Sequence, residues 1–271
     1  MNSHHFSVGN IKLIVLSDGF EIIPENELGD TFKSMPDEFA QAFSKLPQPY
    51  PFGYNVLYLE TGGEHILIDV GLGTMGKPNF GFVLERLGQE SISTEKIDKI
   101  ILSHLHLDHA AGLTTEGVPV FPNAQIDLPH LEWEHWIESG RAPAARTELL
   151  KGIFQPYQEH IHYFEDGDTL AEGITAIHLP GHTPGHCGFM IESAGERLMH
   201  IVDTLHFQTQ IAFPDVSPFF DIQPDISPKT RRMVLERLAD ENLLALTYHL
   251  PFPGLGYVVR DSTSFTWKPV G

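Results

Sequence analysis

The segment His104-Leu105-His106-Leu107-Asp108-His109 constrains the fold and chemistry of this chain more than any other feature. It follows an apolar run, residues 97–102, that predicts a buried strand. A strand has period two, so His104 and His106 project to the same side of its end, and Asp108 and His109 approach that point after the chain turns. Imidazole suits zinc, iron, nickel and copper, and added carboxylate is typical of hydrolytic metal centres. The segment therefore predicts a metal site at a strand end.

Three further candidate ligands lie downstream, each where a predicted strand gives way to a loop. His182 lies in the Pro- and Gly-rich segment 179–186, Asp203 follows the apolar run 198–202, and His249 follows the run 243–248. Loops at strand ends are the places where α/β scaffolds build their sites. We therefore expect these side chains to contribute to the same site.

Apolar runs along the chain alternate between strand and helix patterns. Strands are predicted over residues 11–16, 55–60, 65–70, 97–102, 125–128, 174–179, 188–191, 198–202 and 243–247, with a closing hairpin at 256–260 and 264–268. Helices are predicted over 80–87, ending at Gly88, over 130–139, ending at Gly140, and over 231–242, with Ser227 as N-cap and Pro228 at the first position. The pattern alone predicts an α/β layered fold.

The sequence has no Ser/Gly linker, charge block or internal repeat, so we expect a single domain over residues 1–271. Two long segments, 24–54 and 205–228, lack a clear pattern but are rich in aromatic residues, which argues against disorder. They could wall an apolar substrate pocket, form a dimer interface or cap the core.

The formal net charge of −19 argues against a nucleic acid or an anionic membrane as partner, because phosphate binding needs clustered Lys and Arg. Cys187 is the only cysteine, so an intrachain disulfide is excluded. We see neither a secretory signal at the N-terminus nor an apolar run of about 20 residues that would span a membrane. The expected location is the cytoplasm.

The string 104–109, His182 in Gly-His-Thr-Pro-Gly-His, Asp203 and His249 together resemble the metallo-β-lactamase-fold hydrolases in order and spacing across nearly the whole chain. Residues 121–124 (Phe-Pro-Asn-Ala) and 249–257 resemble its methyl parathion hydrolase-like branch in particular. The resemblance implies an α/β fold of the αβ/βα four-layer sandwich type, and it implies a homodimer.

The resemblance also implies how the ligands divide between two metal ions. One ion is held by His104, His106 and His182, the second by Asp108, His109 and His249, and Asp203 bridges them. Three imidazoles alone would suffice for one zinc ion, so Asp108 and His109 favour a second ion. Zinc is expected, although Mn²⁺, Co²⁺ or Fe²⁺ fit the same nitrogen and oxygen ligands.

The expected reaction is hydrolysis by a metal-bridging hydroxide that attacks a carbonyl carbon or a phosphorus. Asp108 or Asp203 could accept the proton, and the sequence does not choose between them. His206 is a candidate catalytic donor, at about the place where lactonases of this superfamily have a tyrosine; a loop histidine without that role is the alternative. Asp69 is expected to support the metal loops by hydrogen bonding.

An aromatic substrate pocket is expected beside the metals. The candidate pocket residues are Phe80, Phe82, Trp136 and Phe207, for which core packing is the alternative.

The substrate is expected to be an apolar neutral ester, most simply a lactone or aryl ester, with organophosphate triester hydrolysis as a weaker activity. The alternatives are a glyoxalase II-like thioesterase and a non-catalytic metabolite-binding member of the fold. A thioesterase of that type should show basic residues for its anionic substrate. Here the C-terminal third offers only Lys229, Arg231 and Arg232 as a cluster, which we interpret as a solvated helix face.

Overall fold

In the computed structural model, which describes residues 2–262 and 264–270, the strands form two seven-stranded sheets and one short hairpin. The strands are β1 (Ser3–Val8), β2 (Ile11–Ile23), β3 (Tyr50–Thr61), β4 (Glu64–Ile68), β5 (Lys99–Ile101), β6 (Thr114–Thr115), β7 (Val118–Pro119), β8 (Gln125–Pro129), β9 (Ile161–Phe164), β10 (Thr169–Ala171), β11 (Ile174–His178), β12 (Cys187–Ser193), β13 (Glu196–Val202), β14 (Leu244–Thr247), β15 (Leu255–Asp261) and β16 (Ser264–Pro269). The first sheet has the order β1-β2-β3-β4-β5-β8-β9, the second runs from β10 to β16 in sequence order, and β6 pairs with β7.

The helices connect and flank these sheets. They are α1 (Leu28–Thr31), α2 (Asp37–Ser44), α3 (Val83–Gln89), α4 (Leu107–Ala110), α5 (His130–Trp133), α6 (Ala144–Phe154), α7 (Thr209–Ala212) and α8 (Ser227–Asp240). A π-helical turn, Glu134–Glu138, follows α5 directly. None of the helices in residues 2–262 and 264–270 is long and apolar enough to cross a membrane.

The central strands of the second sheet, β12 to β14, are buried over most of their length on both faces, which explains their apolar runs. Along β13, Leu198 and Val202 point into the core between the two sheets, whereas Met199 and Ile201 point to a second core. That second core includes Val234, Leu235 and Leu238 of α8, so the helix covers the outer face of the sheet. The alternation follows from the period of two in a strand.

The predicted strands are confirmed with shifted ends, but two helix boundaries differ from the prediction. The helix predicted from residue 80 begins at Val83, because Gly81 has a φ of 79° and interrupts it, and it continues past Gly88 to Gln89. Ser227 is the first residue of α8 and does not cap it. Its hydroxyl instead donates to the buried Asp221 carboxylate at 2.5 Å.

The candidate ligands follow strand ends that meet at one edge of the two sheets. β13 and β14 pair in parallel, so the residues after them, Asp203 and His249, emerge side by side. The segment 104–109 follows β5 of the first sheet, and His182 follows β11 of the second. Because the two sheets pack face to face, ligands that are far apart in sequence come together at this edge.

Candidate metal centre

One group of four ligand atoms is formed by His104, His106, His182 and Asp203. The Nδ1 atom of His106 lies 3.1 Å from Nε2 of His104 and 2.8 Å from Nε2 of His182. Oδ2 of Asp203 lies 3.2 Å from Nε2 of His182 and 3.8 Å from Nε2 of His104. Three imidazoles and one carboxylate thus converge on one point.

A second group is formed by Asp108, His109, His249 and the same Asp203. Oδ2 of Asp203 lies 3.4 Å from Nε2 of His109 and 3.1 Å from Nε2 of His249. Oδ2 of Asp108 lies 3.4 Å and 3.5 Å from the same two nitrogens. Asp203 therefore belongs to both groups, as the sequence led us to expect.

The donor atoms fit divalent metal ions. Four ligands bound at about 2.0–2.1 Å in tetrahedral geometry are about 3.3 Å apart. The four separations given for the first group range from 2.8 to 3.8 Å, and all of its ligand atoms lie within 4.8 Å of one another. Among the described residues, Nε2 of His109 and Oδ1 of Asp203 are buried without a hydrogen-bond partner. Buried polar atoms are normally satisfied, and bound metal would satisfy these.

The electrostatics of the site also favour cations. Burial lowers the pKa of His104 and of His106, which keeps both imidazoles in the neutral form that binds metal. Burial acts the same way on His109, but the carboxylates of Asp203 and Asp108 outweigh it and raise its pKa well above the usual range. The carboxylates make the local potential negative, and that potential would equally attract a metal ion, which binds the neutral form of the ring.

Hydrogen bonds on the far side of the rings fix their orientation. Three histidines donate through Nδ1 to a buried acceptor: His109 to Asp69 (2.8 Å), His182 to Asp221 (3.1 Å) and His249 to the carbonyl of Gly53 (3.0 Å). Each bond leaves the Nε2 lone pair directed at the ligand groups. The supporting position of Asp69 agrees with the expectation from sequence, since it also accepts hydrogen bonds from the backbone and hydroxyl of Ser103.

Glu132 connects the two histidine loops and is a residue that sequence reasoning missed. Its carboxylate is fully buried. One oxygen accepts hydrogen bonds from Leu105 N (3.0 Å) and Trp136 Nε1 (2.8 Å), and the other from Thr183 Oγ1 (2.5 Å) and Gly185 N (2.8 Å). Leu105 separates His104 from His106, and Thr183 follows His182, so Glu132 fixes the distance between these loops.

Asp221 and Arg231 form a second buried support, which corrects the interpretation of Arg231 as part of a solvated face. Arg231 is 0% exposed. It donates to Asp221 at 3.1 Å and to the carbonyls of Thr204 and Pro214. Burial raises the pKa of Asp221, but the hydrogen bond from His182 and the positive charge of Arg231 outweigh it and hold that pKa well below the usual range. The guanidinium faces inward because the loop 205–226 folds over it and supplies carbonyl acceptors that a helical pattern does not reveal.

The backbone beside Asp203 is strained. Val202 has a φ of 45°, a left-handed conformation that β-branched residues rarely adopt. The strand register shifts at the same place. The amide of Asp203 donates to Nε2 of His186 at 3.1 Å, so His186 supports the backbone beside the ligand. Strain of this kind concentrates at functional sites, and here it turns Asp203 toward the ligand groups.

A cavity of about 590 Å³ opens above the ligand groups. Its aromatic lining residues are Phe52, Tyr54, Phe207, Phe219 and Phe220. Of the candidate pocket residues, Phe207 is therefore in the wall.

The other three candidate pocket residues do not line the cavity. Phe80 packs on Tyr54 with ring centroids 4.8 Å apart, and Phe82 lies under the ammonium of Lys77. Trp136 contacts the His106 ring at 5.5 Å. These residues lie near site residues in the sequence. Which of their rings reaches the cavity depends on the direction of the chain after residue 80 and on the π-helical turn.

The two long aromatic segments divide between core and cavity. Phe32, Phe39, Phe43 and Tyr50 are at most 1% exposed and cap the core. Phe52, Tyr54, Phe219 and Phe220 line the cavity. The expected core-capping role is therefore present, and the roles as substrate-pocket wall and as dimer interface stay predictions.

His206 lies at the cavity floor, where its role is set by packing against the ligands. Its Nε2 atom is 3.3 Å from Oδ2 of Asp203, and its ring stacks on His249 at 5.2 Å. Burial lowers the pKa of His206 to about 4, so the ring is neutral at pH 7.

Comparison with known proteins identifies the family. The model of the Metallo-beta-lactamase superfamily matches residues 49–249, which is most of the chain and includes every ligand described above. The chain belongs to the metallo-beta-lactamase superfamily. This confirms the family to which the ligand motifs pointed.

Relatives and solved structures within the superfamily point to its lactonase branch. The N-acyl homoserine lactonase AiiA of Bacillus thuringiensis subsp. kurstaki is 30% identical over 171 residues, which are 62% of this chain and 60% of that protein. An atrochrysone carboxyl ACP thioesterase of Passalora fulva is 25% identical over 65% of this chain and 45% of that protein. The matches thus span less than two thirds of either relative.

Two solved structures match over the whole length. AidC, described as a dizinc quorum-quenching lactonase in complex with a product N-hexanoyl-L-homoserine, has a TM-score of 0.90 and 28% identity over 100% of this chain and 98% of its own. The hydrolase AbOPH of the beta lactamase superfamily has the same TM-score at 26% identity and the same coverage. The expected four-layer metallo-β-lactamase fold is confirmed.

Proposed function

We propose that this chain is a dinuclear metal-dependent hydrolase of lactones, with N-acyl homoserine lactones as the first class to test. The observation that carries the proposal is the pair of ligand groups that share Asp203 at the floor of an aromatic cavity. The likeness to a dizinc lactonase over the full chain supports both the metal number and the substrate class.

The residues divide into two sets of ligands. His104, His106 and His182 would hold one ion, Asp108, His109 and His249 would hold the other, and Asp203 would touch both. When bound, the ions would supply Lewis acidity and lower the pKa of water toward 7. We expect zinc from the dizinc neighbour, and manganese, cobalt or iron would fit the same donors.

The protein itself supplies binding, exclusion of water and a proton acceptor. The aromatic walls bury the apolar part of the substrate, which favours a neutral ester over an ion. Asp108 lines the cavity with 25% of its side chain exposed, whereas Asp203 is 2% exposed and surrounded by imidazoles. We therefore assign proton acceptance to Asp108 and bridging to Asp203, and we assign His206 to the shape of the cavity floor.

The test is turnover by purified zinc-loaded protein of a lactone, an aryl ester, methyl parathion, nitrocefin and S-lactoylglutathione. Hydrolysis of the lactone, lost in His106→Ala and kept in the control His162→Ala, would support the proposal. His162 is an exposed histidine of β9. Activity confined to the thioester would establish the glyoxalase II-like alternative. Two bound metals without turnover of any of these substrates would establish the alternative of a non-catalytic, metabolite-binding protein.

Organophosphate hydrolysis, the homodimer, the cytoplasmic location and the single domain stay predictions. Methyl parathion in the same panel tests the first. Light scattering of the purified protein tests the second, for which exposed aromatic residues such as Phe20 (57%) and Phe219 (68%) offer contact surface.

A further inference from the structure

Arg146 places a positive charge in the wall of the cavity. It is the one Lys or Arg side chain among the described residues that line the cavity, where it joins His106, Leu107 and Asp108. It lies in the first turn of α6 and is half-buried.

Packing against Trp136 holds the guanidinium of Arg146 in place. The guanidinium carbon lies 5.4 Å from the indole ring, within cation–π range. The indole is fixed in turn, because its Nε1 atom donates to buried Glu132 at 2.8 Å. Trp136 belongs to the π-helical turn Glu134–Glu138, and such turns frequently mark functional sites.

Among the described residues, the two buried arginines each lie close to a carboxylate, and half-buried Arg146 differs from them. Arg231 lies 3.1 Å from Asp221, and Arg86 lies 2.7 Å from Glu85. For Arg146, burial lowers the pKa and only the more distant charge of Asp108 opposes this. A guanidinium has five donors and no acceptor, so one held beside a cavity without a carboxylate partner is available to an acceptor on a ligand.

We propose that Arg146 determines substrate specificity by donating to a neutral oxygen acceptor next to the scissile ester, namely the amide carbonyl of an acylamino lactone. This inference rests on the proposed function. The Trp136 ring contacts both the guanidinium of Arg146 at 5.4 Å and the ring of His106 at 5.5 Å, which places Arg146 beside the ligand groups. An acceptor that it binds would therefore lie near the reacting carbonyl. The carboxylates of Glu21, Glu27, Asp108 and Asp203 also face the cavity, and their negative charge disfavours an anionic group there.

The experiment compares kcat/KM for N-hexanoyl-homoserine lactone with kcat/KM for a γ-alkyl lactone of similar length that lacks the amide. Arg146→Met is expected to lower the value for the acylamino lactone about 10- to 100-fold more than the value for the γ-alkyl lactone, the range for one hydrogen bond to a charged group. Arg146→Lys keeps the charge and should recover part of the kcat/KM that Arg146→Met loses on the acylamino lactone. The matched control is Arg141→Met, an exposed arginine outside the cavity lining, which should behave as wild type.

Equal losses on the two lactones would overturn the inference, because Arg146 would then act on the shared ester or on the fold. The absence of any loss would overturn it as well. If the wild type hydrolyses neither lactone, the proposed function fails, and binding of the intact, neutral N-hexanoyl-homoserine lactone measured by calorimetry still decides on Arg146. Equal affinity of wild type and Arg146→Met would then refute its role, and weaker binding by the variant alone would support it.

Discussion

Replacing Glu132 by Gln should weaken both the fold and one half of the metal centre. The carboxylate accepts four hydrogen bonds, two at each oxygen. In the variant, an NH2 group replaces one oxygen. If it faces Thr183, the hydroxyl can reverse and accept, but the amide of Gly185 loses its acceptor. If it faces Leu105, that amide and the indole of Trp136 both lose theirs.

The expected magnitude follows from this count. A buried N–H without an acceptor costs about 1–3 kcal/mol, and the remaining bonds lose their charge assistance, about 1 kcal/mol more. The free energy of unfolding should therefore fall by about 2–4 kcal/mol, which lowers Tm by about 4–7 °C for a chain of this size. Because Glu132 connects the loops of His104 and His182, the affinity for the first metal should also fall about 10- to 100-fold.

Thermal denaturation of the metal-free protein and competition with a chelator measure these two effects separately. Glu134→Gln is the matched control, since Glu134 lies two residues away and is exposed. It should keep the wild-type Tm within about 2 °C. If Glu132→Gln matched this control in both assays, the reasoning from its four hydrogen bonds would be wrong.

Three further predictions follow from buried groups. Burial raises the pKa of Asp18 from 3.8 to about 6. The contribution of Asp18 to stability is therefore full below about pH 4 and is lost as the pH rises through about 6. At 1.36 kcal/mol per pKa unit, the free energy of unfolding of the wild type relative to Asp18→Asn should fall by about 3 kcal/mol between about pH 4 and pH 8. Urea denaturation at the two pH values measures this, and a constant difference would contradict it. Asp221→Asn leaves Arg231 buried without its counter-charge and should cost about 3–5 kcal/mol in the same assay, unlike Asp215→Asn, whose partner Arg232 is on the surface. Phe207→Ala removes a ring that contacts four other aromatic rings and should cost about 3–5 kcal/mol, and a loss below about 1 kcal/mol would show that its neighbours collapse into the space.

The sequence was sufficient for the features that depend on local pattern. The spacing of the ligands in 104–109 and the apolar runs before Asp203 and His249 are local, and side-chain alternation along a strand follows from backbone geometry alone. They predicted a layered α/β fold with candidate ligands at strand ends, the resemblance to the family implied two ligand groups that share Asp203, and the structure brings those atoms together.

The sequence was insufficient where the role of a residue depends on a distant partner. Arg231 lies on a helix whose pattern allows a solvated face, and only the loop folded over it shows that it is buried. Phe80, Phe82 and Trp136 were expected beside the site, yet none of them lines the cavity, and Phe80 and Trp136 pack instead against the lining residues Tyr54 and His106.

What the sequence by itself determined is thus the kind of ligand and the order of the strands that carry them. What only the tertiary structure decided is how those ligands are held and what the cavity can recognise. His182 meets His106 across 76 residues, and Glu132 meets Thr183 across 51. Ligand chemistry is a property of single side chains, whereas burial, hydrogen-bond partners and the unpaired charge of Arg146 arise only when distant segments pack together.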